Sequence, residues 1–195
     1  MTQTLYLIRH GQTLFNQKGQ IQGASDSPLT ELGKEQAEAA KRYFDQLNLS
    51  DYELFSSTQE RASDTLEILF PNELYTRLKG IKEWNYGLFE GESELLNPPR
   101  EKGVVLFGDF FAGYGGETAD EVQERAVATL NDIMKQTTKQ NVIAVSHGDV
   151  LLLFAQKWLS LEEVQKMHFG NCCILKFEYE DSRFRFIEVI NPTVN

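Results

Sequence analysis

The chain has 195 residues, 41% apolar and 25% charged, which are ordinary values for a globular protein able to bury a sizeable core. Its 19 basic residues against 29 acidic ones leave a net charge of −10, a field that disfavours nucleic acid and anionic membranes as partners. No apolar run approaches a bilayer span, and the start "MTQTLYLIRHG" has no basic stretch followed by a long apolar one, so a cytoplasmic protein is expected.

Residues 4–9, "TLYLIR", read as a strand by their apolar, β-forming content. A polar, Gly-rich loop follows to Pro28. Thr30 then has the character of an N-cap, and Ala37, Ala40, Phe44 and Leu47 form the apolar stripe of a helix ending near Leu47. "YELFSS" (52–57) is a second strand. Ser57 and Glu60 have capping-box spacing ahead of a helix whose buried face carries Ala62, Leu66 and Leu69, and Pro71 stops it. "ELYTRL" (73–78) reads as a third strand. Residues 87–116 are irregular, Gly-rich and aromatic. Thr118 and Glu121 make a second capping box, and Val122, Ala126, Leu130 and Ile133 give that helix its stripe. "NVIAVSH" (141–147) is apolar nearly throughout, as in a strand covered on both faces, and "DVLLLFAQKWL" is a buried helix. "CCILKFEY" and "FRFIEVI" form a late antiparallel hairpin turning at 180–182.

This order predicts an α/β three-layer sandwich, with a mostly parallel central sheet, an antiparallel edge and helices on both faces. The expected organisation is a single domain over 1–195, with an irregular insertion at 87–116 that shapes a pocket. Ligands of such sheets bind beyond the carboxyl ends of the strands. The first strand ends on Arg9-His10, the second runs toward Arg61, and the strand 141–147 ends on His147. Cationic groups from distant parts of an acidic chain would thus meet at one edge. Two guanidiniums and two imidazoles around one anion suit phosphate: guanidiniums clamp its oxygens, and a neutral imidazole can attack phosphorus.

Cys172 and Cys173, adjacent in a predicted strand, read as small buried residues and not as a disulfide pair. The three histidines (10, 147, 168) show no zinc-ligand spacing with them, so neither a metal nor another cofactor is expected, and His168 reads as structural.

"LIRHGQT" with Asn16, "SSTQERASDT" (56–65), "EWNYGLFEG" (83–91) and "VSHGD" (145–149) resemble, in this order, the histidine phosphatase superfamily, the group that includes cofactor-dependent phosphoglycerate mutases. The resemblance implies that His10 is the nucleophile that becomes phosphohistidine. It implies that Arg9, Arg61, His147, Asn16 and Gly148 hold the phosphoryl group, Gly11 and Gly148 allowing close backbone approach. Glu83 looks like the acid that protonates the leaving oxygen and then the base that activates water. Gln12 stands where glutamate is commoner. Candidate pocket residues are Gln22, Gly23, Trp84, Tyr86 and Glu117. Each residue also has a structural reading: Arg61 as a surface arginine paired with Glu60 or Asp64, His147 as a core histidine, Glu83 as a loop carboxylate, Glu117 as a helix-dipole partner. The aromatic residues of the insertion divide between core and pocket.

Four functions compete. The favoured one is a metal-independent phosphatase acting on a small phosphorylated metabolite. A mutase would need extra cations for a carboxylate and a second phosphate; the family's mutases carry Arg where Trp84 stands and Gln at Glu90, and the insertion sets Arg100 and Lys102 against Glu92, Glu94, Glu101 and Asp109. A protein phosphatase and a non-catalytic phospholigand binder are the others. The edge of the late hairpin could pair two copies into a homodimer.

Overall fold

At the middle of a six-stranded sheet lies β1 (Gln3–Arg9), whose alternate side chains enter different cores. The computed structural model describes residues 2–99 and 106–194. Around β1 run β2 (Tyr52–Ser57), β3 (Thr76–Leu78), β4 (Asn141–Ser146), β5 (Ile174–Glu180) and β6 (Arg183–Ile190), in the spatial order β3-β2-β4-β1-β5-β6. The first four positions are parallel to one another, while β5 is antiparallel to both β1 and β6.

Both faces are covered. Tyr6 and Ile8 of β1 and Ile143 and Val145 of β4 pack with α2 (Glu31–Leu47) and α3 (Glu60–Leu69). Leu5, Leu7, Val142 and Ala144 pack on the other side with α4 (Ala119–Gln136) and α5 (Gly148–Gln156). That double coverage is why β1 and β4 are apolar without alternation. The stripes predicted from the sequence bury Ala37, Ala40 and Phe44 in α2 and Val122, Ala126, Leu130 and Ile133 in α4. Thr30 caps α2, and the Thr118–Glu121 capping box opens α4. No described helix is long and apolar enough to cross a membrane.

The structure corrects three readings. The third strand is Thr76–Leu78 alone, because β2 offers only Phe55, Ser56 and Ser57 as partners. The segment read as loop contains a short helix, α1 (Leu14–Lys18), started by a Thr13–Asn16 capping box. Ser57 and Glu60 form no capping box. The helix starts later, after Gln59, and Ser57 Oγ accepts the Gln59 N–H. The Glu60 N–H is met from outside, by Asp26 Oδ2 at 2.5 Å. A cap contributed across the chain leaves no spacing signal in the sequence.

The other oxygen of Asp26 accepts from Arg61 at 2.9 Å, so one carboxylate serves a helix end and a buried guanidinium. Asp26→Ala is therefore expected to lower stability by about 2–4 kcal/mol, measured by urea denaturation, more than a surface ion pair would account for.

Candidate active site

The register of β1 on β4 pairs Arg9 with Ser146, so the next residues, His10 and His147, emerge side by side. His10 N–H donates to Ser146 O at 3.0 Å, and the two imidazoles sit 5.2 Å apart, centroid to centroid. Both are buried. His10 Nδ1 lies 2.7 Å from Gly11 O and must donate to it, which puts the proton on Nδ1 and the lone pair on Nε2. Arg61 Nε points at that lone pair from 3.3 Å. Burial, then Arg61 and Arg9, hold the His10 pKa well below the ordinary histidine value, so the ring is neutral at pH 7. Burial and the neighbouring Arg61 depress His147 in the same way.

Arg61, at the start of α3, is fully buried. Three of its N–H groups are committed to the loop 23–26: Nη2 to Gly23 O at 2.9 Å, and Nη1 to Ser25 O at 2.8 Å and Asp26 Oδ1 at 2.9 Å. That loop is held in turn by Glu90, whose carboxylate accepts from the backbone N–H of Gly23, Ala24, Ser25 and Tyr86 and from the Ser25 hydroxyl. Gly23 is required there, since a Cβ would collide with the Trp84 carbonyl oxygen.

Arg9 shares the cavity with His10. Its Nη1 donates to Phe169 O at 2.6 Å, while its buried Nε has no hydrogen-bond partner. Neither ring nitrogen of His147 has one either. Gly148 brings the chain close: a Cβ there would stand 3.2 Å from Arg9 Nε. An unpaired buried polar group costs about 1–3 kcal/mol, which makes Arg9 Nε and the His147 ring candidates to meet a ligand. Asn16 also lines the cavity. Its Oδ1 accepts from Thr13 N at 3.2 Å, which leaves the amide NH₂ as the group able to donate.

Glu83 follows β3 and is buried in the same cavity wall. Its Oε1 accepts from Trp84 N at 2.9 Å and its Oε2 from Asp149 N at 3.3 Å. The segment that carries it is pinned from α4: Arg125 donates to the carbonyls of Gly80, Lys82 and Glu83, and pairs through two nitrogens with Glu117. Burial, and then the neighbouring Asp149 carboxylate, push the Glu83 pKa up to about 7. Asp149 itself accepts a hydrogen bond from the Tyr86 hydroxyl.

The cavity, about 460 Å³, has Arg9, His10, Asn16, Gln22, Glu83, Tyr86, Gly148 and Asp149 in its lining. Gln22 and Tyr86 thus stand where the sequence placed them. Three other candidate pocket residues do not line it. Trp84 is fully buried, stacked on Tyr86 and donating to Glu117 O; Glu117 is paired with Arg125; Gly23 belongs to the loop around Arg61. Each supports the wall from behind. Arg100, Glu101 and Lys102 lie outside the described residues. Sequence reasoning missed Asp26 and Glu90 as anchors of the Arg61 loop, Thr65, which accepts from Gly11 N, and Asn171, which donates to His10 O. Asp149 was within reach, because it closes the quoted motif "VSHGD".

The α/β sandwich thus gathers imidazoles, guanidiniums and a carboxyl at the carboxyl ends of its parallel strands. The family profile of the histidine phosphatase superfamily (branch 1) matches residues 5–192, and the chain belongs to that superfamily. An acid phosphatase of Mycobacterium tuberculosis is 29% identical over 169 residues, covering 85% of this chain and 80% of the relative. A probable phosphoglycerate mutase GpmB of Yersinia pestis is 29% identical over 186 residues, covering 91% and 86%. A phosphoglycerate mutase structure from Bacillus anthracis superposes with a TM-score of 0.83 over 97% of this chain and 93% of its own; at 24% identity it speaks for the fold.

Glu83 is expected to titrate near 7 and not near 4.5, and Asp149→Asn to bring it down toward the ordinary carboxylate range. Carboxyl-carbon NMR across a pH series checks both. A wild-type midpoint at 4.5 would remove the account from burial and like charge.

Proposed function

We propose that this protein hydrolyses phosphomonoesters through a phosphohistidine on His10. The observation that carries the reading is the pairing, in one cavity, of a neutral imidazole whose free Nε2 is flanked by guanidinium with a carboxyl group that keeps its proton near pH 7. His10 Nε2 attacks phosphorus as the ester P–O bond breaks. Glu83 gives its proton to the departing oxygen. The resulting Glu83 carboxylate then takes a proton from water, whose oxygen attacks phosphorus. The P–N bond breaks, and inorganic phosphate and free His10 are regenerated. Arg9, Arg61, His147 and the Asn16 amide balance the charge that spreads over the phosphoryl oxygens. An incoming phosphate also offsets the guanidinium repulsion that keeps His10 neutral, so binding and nucleophile charge are matched.

Transfer to a second phosphoglycerate is the competing reading, since the Yersinia relative is named a probable mutase. Such a substrate brings a carboxylate and a further phosphate. Among the described residues lining the cavity, Arg9 is the only Lys or Arg, and Glu83, Glu94 and Asp149 are negative or become so. That balance favours water as the acceptor and a leaving group without a second anion.

With chelator present, the protein is expected to hydrolyse p-nitrophenyl phosphate, with vanadate inhibiting, and His10→Ala to reduce kcat by at least about 10³-fold. Acid-labile ³²P on the wild type, and its loss in His10→Ala, locates the intermediate. Activity of His10→Ala near wild type would remove His10 from the mechanism. Efficient isomerisation of 3-phosphoglycerate that depends on a bisphosphorylated primer would replace hydrolysis with the mutase reading.

A further inference from the structure

The lining of the cavity is not all polar. Leu106 and Phe107 of the segment before α4, Leu152 of α5, and Val164, Met167 and Phe169 from α6 (Leu161–Gln165) and the residues after it all line it. The other polar groups in the lining are the neutral amides of Asn97 and Gln165 and the carboxylate of Glu94. The volume of about 460 Å³ far exceeds what a phosphoryl group alone requires and lies in the range of sites for small organic ligands. One cavity therefore combines cationic and N–H donors with hydrocarbon and carboxylate groups.

We propose that the substrate is the phosphate monoester of a neutral, apolar alcohol, alkyl or aryl, whose hydrocarbon part is seated on Phe107, Leu152, Met167 and Phe169. This rests on the reading of His10 and its neighbours as the phosphoryl site. The chemistry is one of selection by both kinds of lining. Apolar surface removed from water supplies the affinity of the leaving group, and Glu94 and Asp149, both in the lining, raise the cost of any second anion in the cavity. A carboxylated or doubly phosphorylated ester would bring a second negative charge, with Arg9 the only Lys or Arg among the described lining residues.

The test is a homologous series. Dissociation constants of n-alkyl phosphonates, which cannot be hydrolysed, are measured on the wild-type protein by calorimetry, alongside kcat/KM for the matching n-alkyl phosphates. Affinity is expected to rise about fourfold with each added methylene until the cavity is filled, with an increasingly negative ΔCp. Met167→Glu is expected to flatten that slope, and Leu161→Asp, at the half-exposed start of α6, carries the same test if the first variant does not fold. A series flat from methyl to hexyl, or 3-phosphoglycerate displacing the hexyl phosphonate at lower concentration than the butyl phosphate does, overturns the proposal. The two readings fail separately. Steep binding with no ester hydrolysed, p-nitrophenyl phosphate included, supports the apolar seat and sinks the His10 hydrolysis scheme. Turnover with a flat series does the reverse.

Discussion

A guanidinium with no solvent exposure must have its charge and its five N–H groups met by protein, and the surroundings of Arg61 are organised around that demand. Carbonyls of Gly23 and Ser25 and the carboxylate of Asp26 meet three of the donors, and a fourth reaches His10. A backbone loop can present carbonyls inward only if its own N–H groups are satisfied elsewhere, and Glu90 accepts three of them together. The imidazole, the buried arginine, the loop and Glu90 are thus successive links of one hydrogen-bonded chain. Removing a link leaves a buried polar group exposed to the next, which is why such networks behave as units.

A second network governs the acidic group. Glu83 sits beyond a very short strand, in a stretch with little ladder bonding of its own. Arg125 compensates by gathering the carbonyls of Gly80, Lys82 and Glu83 onto α4, and Ser146 Oγ ties Ile81 O to the end of β4. The carboxyl is thereby fixed against the first turn of α5, where the Asp149 backbone N–H supports it and the Asp149 carboxylate opposes its ionisation. Orientation and proton affinity come from the same residue acting through different atoms.

How much of this was legible follows from range. Thr30, and the Thr118–Glu121 box, are signals contained within four residues, and both helices start where those residues say. The convergence of Arg9, His10 and His147 was legible because parallel strands put their carboxyl ends on one side, and the motifs sat at those ends. Asp26, Glu90 and Asn171 were not, because each acts on a partner 34 to 161 residues away and carries no local pattern. Trp84 misled because it neighbours Glu83 in sequence, whereas its indole is fully buried against Tyr86, Phe107 and Phe111 and takes no part in the cavity lining.

β5 begins where its neighbour β1 ends, since Ile174 pairs with Ile8. The residues just ahead of β5 are therefore delivered to the edge of the sheet where the histidines lie, and Phe169 O and Asn171 take hold of Arg9 and His10 there. By the same reversal, the tight bend at Asp181 and Ser182, both with left-handed φ, falls at the far end of the sheet from that edge. The molecule consequently has a working end and a spare end, and a fluorophore, an affinity tag or a new chain opening placed at the bend would stand a full strand length away from the chemistry.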